Sequence, residues 1–374
     1  MGNNAKNQPS GLIELTDISK TYHSSAGSFQ ALQNINLELF QGEFVGVIGK
    51  SGSGKSTLVN MITGIDRPSE GKVLVDGLDI HAMKESRQAR WRGLTLGVVF
   101  QFFQLLPMLT LVENVLLPMD FCDKYEPHNR LKRAMDLLAM MGLEDLAHQL
   151  PNAVSGGQQQ SAAIARALAN DPPIIIADEP TGNLDAKTAD AVYDKFESLS
   201  GEGRTIIMIT HDPDIEQRLS RTVLLSDGEI VDPLLARVFP WLPKPTLRRL
   251  GQHLTRQEYS QGTDLDISGG LARQFILVDD GQIKLNYSKK SQQKKSITLT
   301  SGNFFAGKDQ IDDKQWHSFQ AQVVSDFACV ALLDAEHFYN ALVDIPKAHL
   351  ELQTRLQAHL SGKPHANDTG GLLS

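Results

Sequence analysis

The run Gly49-Lys50-Ser51-Gly52-Ser53-Gly54-Lys55-Ser56-Thr57 constrains this chain more than any other stretch. It follows the apolar segment Phe44-Val45-Gly46-Val47-Ile48 and precedes Leu58-Val59-Asn60-Met61-Ile62, so it reads as a strand, a glycine-rich turn and a helix start. In that context the pattern G-x-x-x-x-G-K-S is a phosphate-binding loop. Its glycines let the backbone curl until consecutive N–H groups face one anion, and the helix that follows aims its positive dipole end at the same point. Lys55 is expected to reach the β- and γ-phosphates of a nucleotide, and the Ser56 hydroxyl to hold Mg2+.

At 374 residues the chain is long for one domain and suits two, each with its own core. A formal net charge of -8 argues against nucleic acid as the main partner. Only Cys122 and Cys329 occur, far apart and without ligand spacing, so no disulfide is expected and a reducing, cytoplasmic setting is the simplest reading. No apolar run approaches the length of a membrane span, and the polar start is not a signal peptide. If the protein works at a membrane, another chain supplies the spans.

Taken in order, Leu12 to Tyr22 and Leu32 to Leu39 alternate as half-buried strands joined by a small polar loop. Gly71 to Gly77 and Leu96 to Gln101 read as further strands. From Asn129 to Leu150 the spacing of Leu131, Ala134, Leu137, Leu138 and Met141 predicts a helical subdomain. Ile174-Ile175-Ile176-Ala177-Asp178 and Thr205 to Thr210 are continuous apolar runs of the kind buried on both faces of a parallel sheet, which makes the first part α/β.

Pro233, Pro240, Pro243 and Pro245 then mark a linker or a domain entry rather than a sheet, and the domain boundary is set near residue 235. Beyond it, Gln274 to Val278 and Gln282 to Tyr287 flank Asp279-Asp280-Gly281, which predicts a hairpin. Strands at Ser296 to Leu299 and Ala321 to Leu332 and a closing helical pattern from His337 to Leu360 complete a small β-barrel or jelly-roll with flanking helices. Lys289, Lys290, Lys294 and Lys295 read as a solvated tip, with an acidic partner or lipid contact as the other possibility.

Four more motifs narrow the chemistry. Val154-Ser155-Gly156-Gly157-Gln158-Gln159-Gln160 is followed by Asp178-Glu179, then Gly182-Asn183-Leu184-Asp185, then Ile209-Thr210-His211-Asp212. With the phosphate loop, this order resembles the ATP-binding cassette (ABC) ATPases over residues 11 to 231. By its own physics Asp178, ending a buried strand, can hold the Mg2+ shell, and Glu179 can polarise a water for in-line attack. Taken alone such a pair would be a helix cap with a solvated neighbour. The resemblance implies further roles. Gln101 touches Mg2+ and water and links to a membrane partner, His211 contacts the γ-phosphate, and Tyr22 stacks on adenine. It also implies that Ser155, Gly156, Gly157 and Gln158 close on the nucleotide of a second copy, with Asp185 at the seam, so the protein is an ATP-driven dimer. Ser161 stands where the family commonly has arginine.

Leu105 to Thr110, Val112 to Pro118 and Ala177 to Asp185 are similar to the macrolide-exporter and lipoprotein-releasing subfamily. That resemblance implies an ATPase subunit, peripheral on the cytoplasmic face of the inner membrane, driving a separate permease whose coupling helix meets Phe102, Phe103 and Leu105. These three would otherwise be subdomain core. The second domain, residues 236–374, resembles a cyclic-nucleotide-binding domain in pattern, through Tyr259-Ser260-Gln261-Gly262, Asp280 to Ile283 and Gly302 to Gly307. Lys308 occupies the place of that family's glutamate, and its arginine's place falls near Phe319, so ordinary cyclic-nucleotide binding is expected to be lost. Two other readings remain open: a regulated ABC ATPase that transports nothing, and a binding scaffold with weak turnover.

Overall fold

The computed structural model describes residues 11–25, 27–182, 184–210, 215, 218–289, 294–306, 316–343, 345, 351–352 and 354. The side chains of residues 287–289, 294–295 and 316–319 are not among those described. The chain divides into two compact units, Met1–Ile230 and Val231–Ser374.

In the first unit β1 (Ile13–Ser24) and β2 (Gly27–Leu39) form an antiparallel pair. The fully buried β3 (Phe44–Ile48) leads through the glycine-rich turn into α1 (Lys55–Thr63). Next come β4 (Glu70–Val75), β5 (Leu78–Asp79), α2 (Glu85–Thr95) and β6 (Leu96–Val99). The helical subdomain holds α3 (Leu111–Cys122) and α4 (Pro127–Met140), after which α5 (Gly156–Ala167) returns to the sheet. Proline at the start of α4 suits a position whose N–H lacks an intrahelical partner. A capping box between Thr110 and Glu113 fixes where α3 begins. Then β7 (Ile174–Asp178), α6 (Ala186–Gly201), β8 (Thr205–Thr210), β9 (Arg221–Ser226) and β10 (Glu229–Val231) complete the set.

The strands form two sheets. One is antiparallel with order β2-β1-β4-β5, and the other runs β10-β9-β3-β8-β7-β6, parallel from β9 through β6. Alternation explains why β7 is apolar from Ile174 to Ala177. Ile174 and Ile176 enter a core shared with α1 and the antiparallel sheet, whereas Ile175 and Ala177 enter one shared with α3 to α6. The strand ends of β3 and β7 are thereby fixed from both faces.

In the second unit Pro233 and Pro245 each lie in the first turn of a short helix, α7 (Pro233–Val238) and α8 (Lys244–Gly251). The strands are β11 (Thr255–Ser260), β12 (Asp264–Leu265), β13 (Gln274–Lys289), β14 (Lys294–Leu299), β15 (Phe304–Ala306) and β16 (Trp316–Asp334), followed by α9 (Ala335–Leu342). Phe239, Phe275, Phe304 and Phe338 pack on one side of β13, with ring centroids 4.6 to 5.2 Å apart. Ile276 and Val278 face a separate core with Leu265, Ile283 and Leu285.

The expected hairpin at Asp279-Asp280-Gly281 is absent: β13 runs straight through it. Val278 pairs with Val330, Asp280 with Cys329 and Gly281 with Ala328, so Asp279 is the extra residue of a bulge. A two-residue hairpin turn of the favoured type needs positive φ at two successive residues, and here only Gly281 has it, at +82°. The register shifts again between Gly281, opposite Ala328, and Ile283, opposite Val323, and there the Ser325 hydroxyl accepts from the Gln282 N–H at 2.8 Å. The expected barrel is likewise an open sheet among the described residues, order β11-β16-β13-β14, with β12 beside β16 and β15 beside β13.

Candidate active site

The phosphate loop is shaped by contacts that admit no side chain. A Cβ on Gly49 would stand 2.1 Å from the Leu225 carbonyl oxygen, and one on Gly54, at φ +103°, 2.6 Å from that of Ala31. Gly54 caps α1 without a side-chain hydrogen bond, so the first N–H groups of the helix point into the loop unclaimed by a capping side chain. Ser53 is buried and its hydroxyl has no hydrogen-bond partner among the described residues. A loop of inward N–H groups with a spare buried hydroxyl fits a polyphosphate. Ser51, Gly52, Ser56 and Thr57 are partly or largely exposed around it.

Lys55 is buried, and its ammonium donates to the carbonyls of Gly49 at 2.7 Å and Lys50 at 2.9 Å. Burial lowers its pKa, against the opposing pull of the Glu179 and Asp178 carboxylates. Asp178 ends β7 beside Ile209 of β8, and Glu179 follows it. Asp178 is lifted above its ordinary range by burial and then by the charge of Glu179, with Lys55 acting the other way. Glu179 holds left-handed backbone at φ +44°, its N–H donating to the Ile209 carbonyl at 2.9 Å. That conformation is costly for a non-glycine residue and directs the carboxylate away from the strand axis. Gln101, just beyond β6, donates its amide N–H to the Glu179 carboxylate at 2.7 Å. Sequence-predicted residues from three strand ends therefore meet: Lys55 beyond β3, Asp178 and Glu179 at the end of β7, and Gln101 beyond β6, its amide against Glu179. His211 and Asn183 lie outside the described residues.

The oxygens of Ser56, Asp178 and the Gln101 amide make a hard donor set, and among the described residues no group of three or more His, Cys, Asp or Glu is placed to hold a metal ion by itself. One carboxylate with a hydroxyl is the pattern of Mg2+ held jointly with substrate phosphates, so the residues fit that ion.

Tyr22 is 39% exposed on β1. Its hydroxyl donates to Asp66 at 3.0 Å and the Lys20 ammonium lies 4.8 Å from its ring centre, an anchoring that sequence spacing does not reveal. Burial disfavours the charged Asp66, yet the hydrogen bond from Lys20 and those from the Arg67 backbone and Tyr22 hold its carboxyl below the usual range.

Ser155 caps α5. Its hydroxyl accepts from the Gln158 N–H at 3.3 Å, and the Gln158 side chain accepts from the Ser155 N–H at 2.8 Å. Gly156 and Gly157 form the first turn; a Cβ on Gly157 would stand 2.8 Å from the Thr188 methyl. Asp185 caps α6, accepting from the Thr188 N–H and hydroxyl, and these bonds hold its carboxyl below the usual range. Within one chain, then, Ser155 and Asp185 are helix caps. Cys122 and Cys329 are both free. Among the described residues no helix is long and apolar enough to cross a membrane.

Comparison with known proteins agrees with this geometry. The profile of the ABC transporter family matches residues 32–182. An uncharacterised ABC transporter ATP-binding protein of Bacillus subtilis, YknY, is 44% identical over 222 residues, 59% of this chain and 95% of that protein. The lipoprotein-releasing system ATP-binding protein LolD of Hyphomonas neptunium is 39% identical over 222 residues, covering 97% of its length. The macrolide export ATP-binding/permease protein MacB of Rhodospirillum rubrum matches at 43% identity over 34% of its length. A dimeric structure of the cassette MJ0796, in a post-hydrolysis state bound to ADP and Pi, superposes with a TM-score of 0.56 at 42% identity, over 58% of this chain and 96% of that one. With nearly the whole of several ATP-binding subunits aligned to it and the phosphate loop, Asp178 and Glu179 brought to one place, this chain belongs to the ABC transporter family as an ATP-binding, ATP-hydrolysing subunit.

Proposed function

We propose that this subunit drives a separate membrane permease of the macrolide-exporter or lipoprotein-releasing type, dimerising on ATP and working at the cytoplasmic face of the inner membrane. The observation that carries the chemistry is the convergence of Lys55, Asp178, Glu179 and Gln101 at the ends of parallel strands. Lys55, buried among backbone carbonyls, is the cation for the β- and γ-phosphates, beside the inward N–H groups of residues 49 and 51–57. Glu179 is the base that takes the proton of the attacking water, and Gln101 orients its carboxylate. His211 is assigned to the γ-phosphate. Ser56, Gln101 and Asp178 would hold Mg2+, which when bound neutralises developing charge on the β- and γ-oxygens. Tyr22 offers its ring to adenine. Ser155, Gly156, Gly157, Gln158 and Asp185 serve the nucleotide of a second copy, a reading supported by the dimeric cassette of similar fold.

The second unit is proposed as an accessory domain related to cyclic-nucleotide-binding domains that serves in docking rather than ligand sensing. An antiparallel sheet with helices before and after it supports that relation; Lys308 lies outside the described residues. Calorimetry with cyclic AMP and cyclic GMP is expected to show no binding, and micromolar affinity would overturn this part. For the whole, affinity isolation of the chain from detergent-solubilised membranes is expected to bring down a permease with a large extracytoplasmic domain. Recovery of the chain alone, with unchanged ATP turnover in permease-free and permease-containing membranes, would sink it.

A further inference from the structure

Phe103 and Gln104, directly after Gln101 and Phe102, both hold left-handed backbone, at φ +57° and +48°. Two successive non-glycine residues persist in that region only where the surroundings fix them. Arg166 on α5 supplies the fixing. One end of its guanidinium donates to the Gln104 carbonyl and the other to the Phe103 carbonyl at 2.8 Å. The Phe103 ring also lies 3.7 Å from where a Cβ on Gly156 would stand, so α5 meets this loop at its first turn and again near its last. Both hydrogen bonds of Arg166 go to carbonyl oxygens, and burial lowers its pKa. A planar fork spans two adjacent carbonyls, which the single ammonium of lysine does not. The same loop begins with Gln101, whose amide donates to Glu179.

We propose that Arg166 is a positioning residue for ATP hydrolysis: by binding the 101–104 loop to α5 it sets Gln101 against Glu179. The orientation of the base is thereby tied to the helix that Ser155 caps. This rests on the reading of Glu179 as base and Gln101 as its orienter.

Steady-state ATPase assays on the full chain test it, using Arg166→Met, Arg166→Lys, Gln101→Ala and the combined variants. Arg166→Met is expected to lower kcat by about tenfold to a hundredfold with the ATP KM within about twofold. Arg166→Lys should fall between, and added guanidinium ion should restore part of the turnover of Arg166→Met. In the Gln101→Ala background Arg166→Met should lower kcat no further, because both act through one contact. Independent, multiplying losses would overturn the proposal, as would an unchanged kcat in Arg166→Met. Should Arg166→Met fail to fold, Arg166→Lys with and without Gln101→Ala makes the same comparison. Unchanged turnover in Gln101→Ala alone overturns the reading of Gln101 and this inference together, whereas a loss there with none at Arg166 overturns only the latter.

Discussion

The Gln101 amide and the Glu179 carboxylate are hydrogen-bonded over 2.7 Å across 78 residues of sequence. One end of that bond lies on a loop held by α5, the other on a strained strand end, so the carboxylate proposed as the base is oriented from two directions. Replacing the carboxylate by an amide of equal size removes the proposed proton acceptor and leaves the shape. Glu179→Gln is expected to cut ATP turnover by about 10²- to 10⁴-fold while nucleotide still binds. Gel filtration with ATP should then show an accumulated dimer; turnover near the parent's would remove Glu179 as base.

Ser155 has two roles to separate, the cap seen within one chain and the contact proposed across two. Ser155→Ala loses the cap and should cost about 1 kcal/mol in denaturant unfolding, together with turnover. Ser155→Asp keeps a good capping oxygen but sets a negative charge where a triphosphate is expected. It should retain stability and lose ATP-driven dimerisation. Equal turnover in Ser155→Asp and the parent would leave only the cap.

Asp178 carries a pH signature. Its folded-state pKa is raised by burial and by Glu179, so its favourable contribution is complete below the unfolded carboxylate value and is lost as pH rises through the folded one. Asp178→Asn escapes that loss. Without nucleotide, its thermal midpoint should match the parent's in acid and exceed it near neutrality, while Mg2+-dependent hydrolysis disappears. A variant less stable than the parent at neutral pH would mean that pairing with Lys55 outweighs the burial.

Gly281 tests the second unit. A Cβ there would stand 2.4 Å from the Phe327 carbonyl oxygen at a φ of +82°. Gly281→Val should therefore destabilise this unit by at least about 1–3 kcal/mol, seen as an earlier unfolding transition in calorimetry. An unshifted transition would favour the hairpin that the sequence suggests.

The contrast between Gly54 and Gly281 shows what sequence carries. Around Gly54 the motif is contiguous, and its flanking strand and helix are local, so Lys55, Ser56 and the strand before them are readable directly. Asp279-Asp280-Gly281 has equally strong local chemistry, but its outcome depends on β16, some fifty residues on by register, which pairs with both arms and turns a hairpin signal into a bulge. Arg166 has no local signal, because its partners are main-chain carbonyls that any residues could supply. Asp66 is hidden likewise: only the fold brings it to Tyr22. Pro233 and Pro245 were legible as punctuation, but whether a proline ends one element or begins another depends on the helix-forming residues after it.

The parallel pairing of β3 has a consequence for how the protein is made. Phe44 pairs with Ile206 and Val45 with Arg221, and every residue of β3 is buried. During synthesis this apolar strand leaves the ribosome long before either neighbour, and its flanking hydrogen-bonding groups stay open until some 160 further residues have followed. The segment that carries the phosphate loop is thus the first strand of its sheet to be made, yet it is enclosed on both sides only when β9 follows β8, and for that interval its open edges are a template for pairing with other nascent chains.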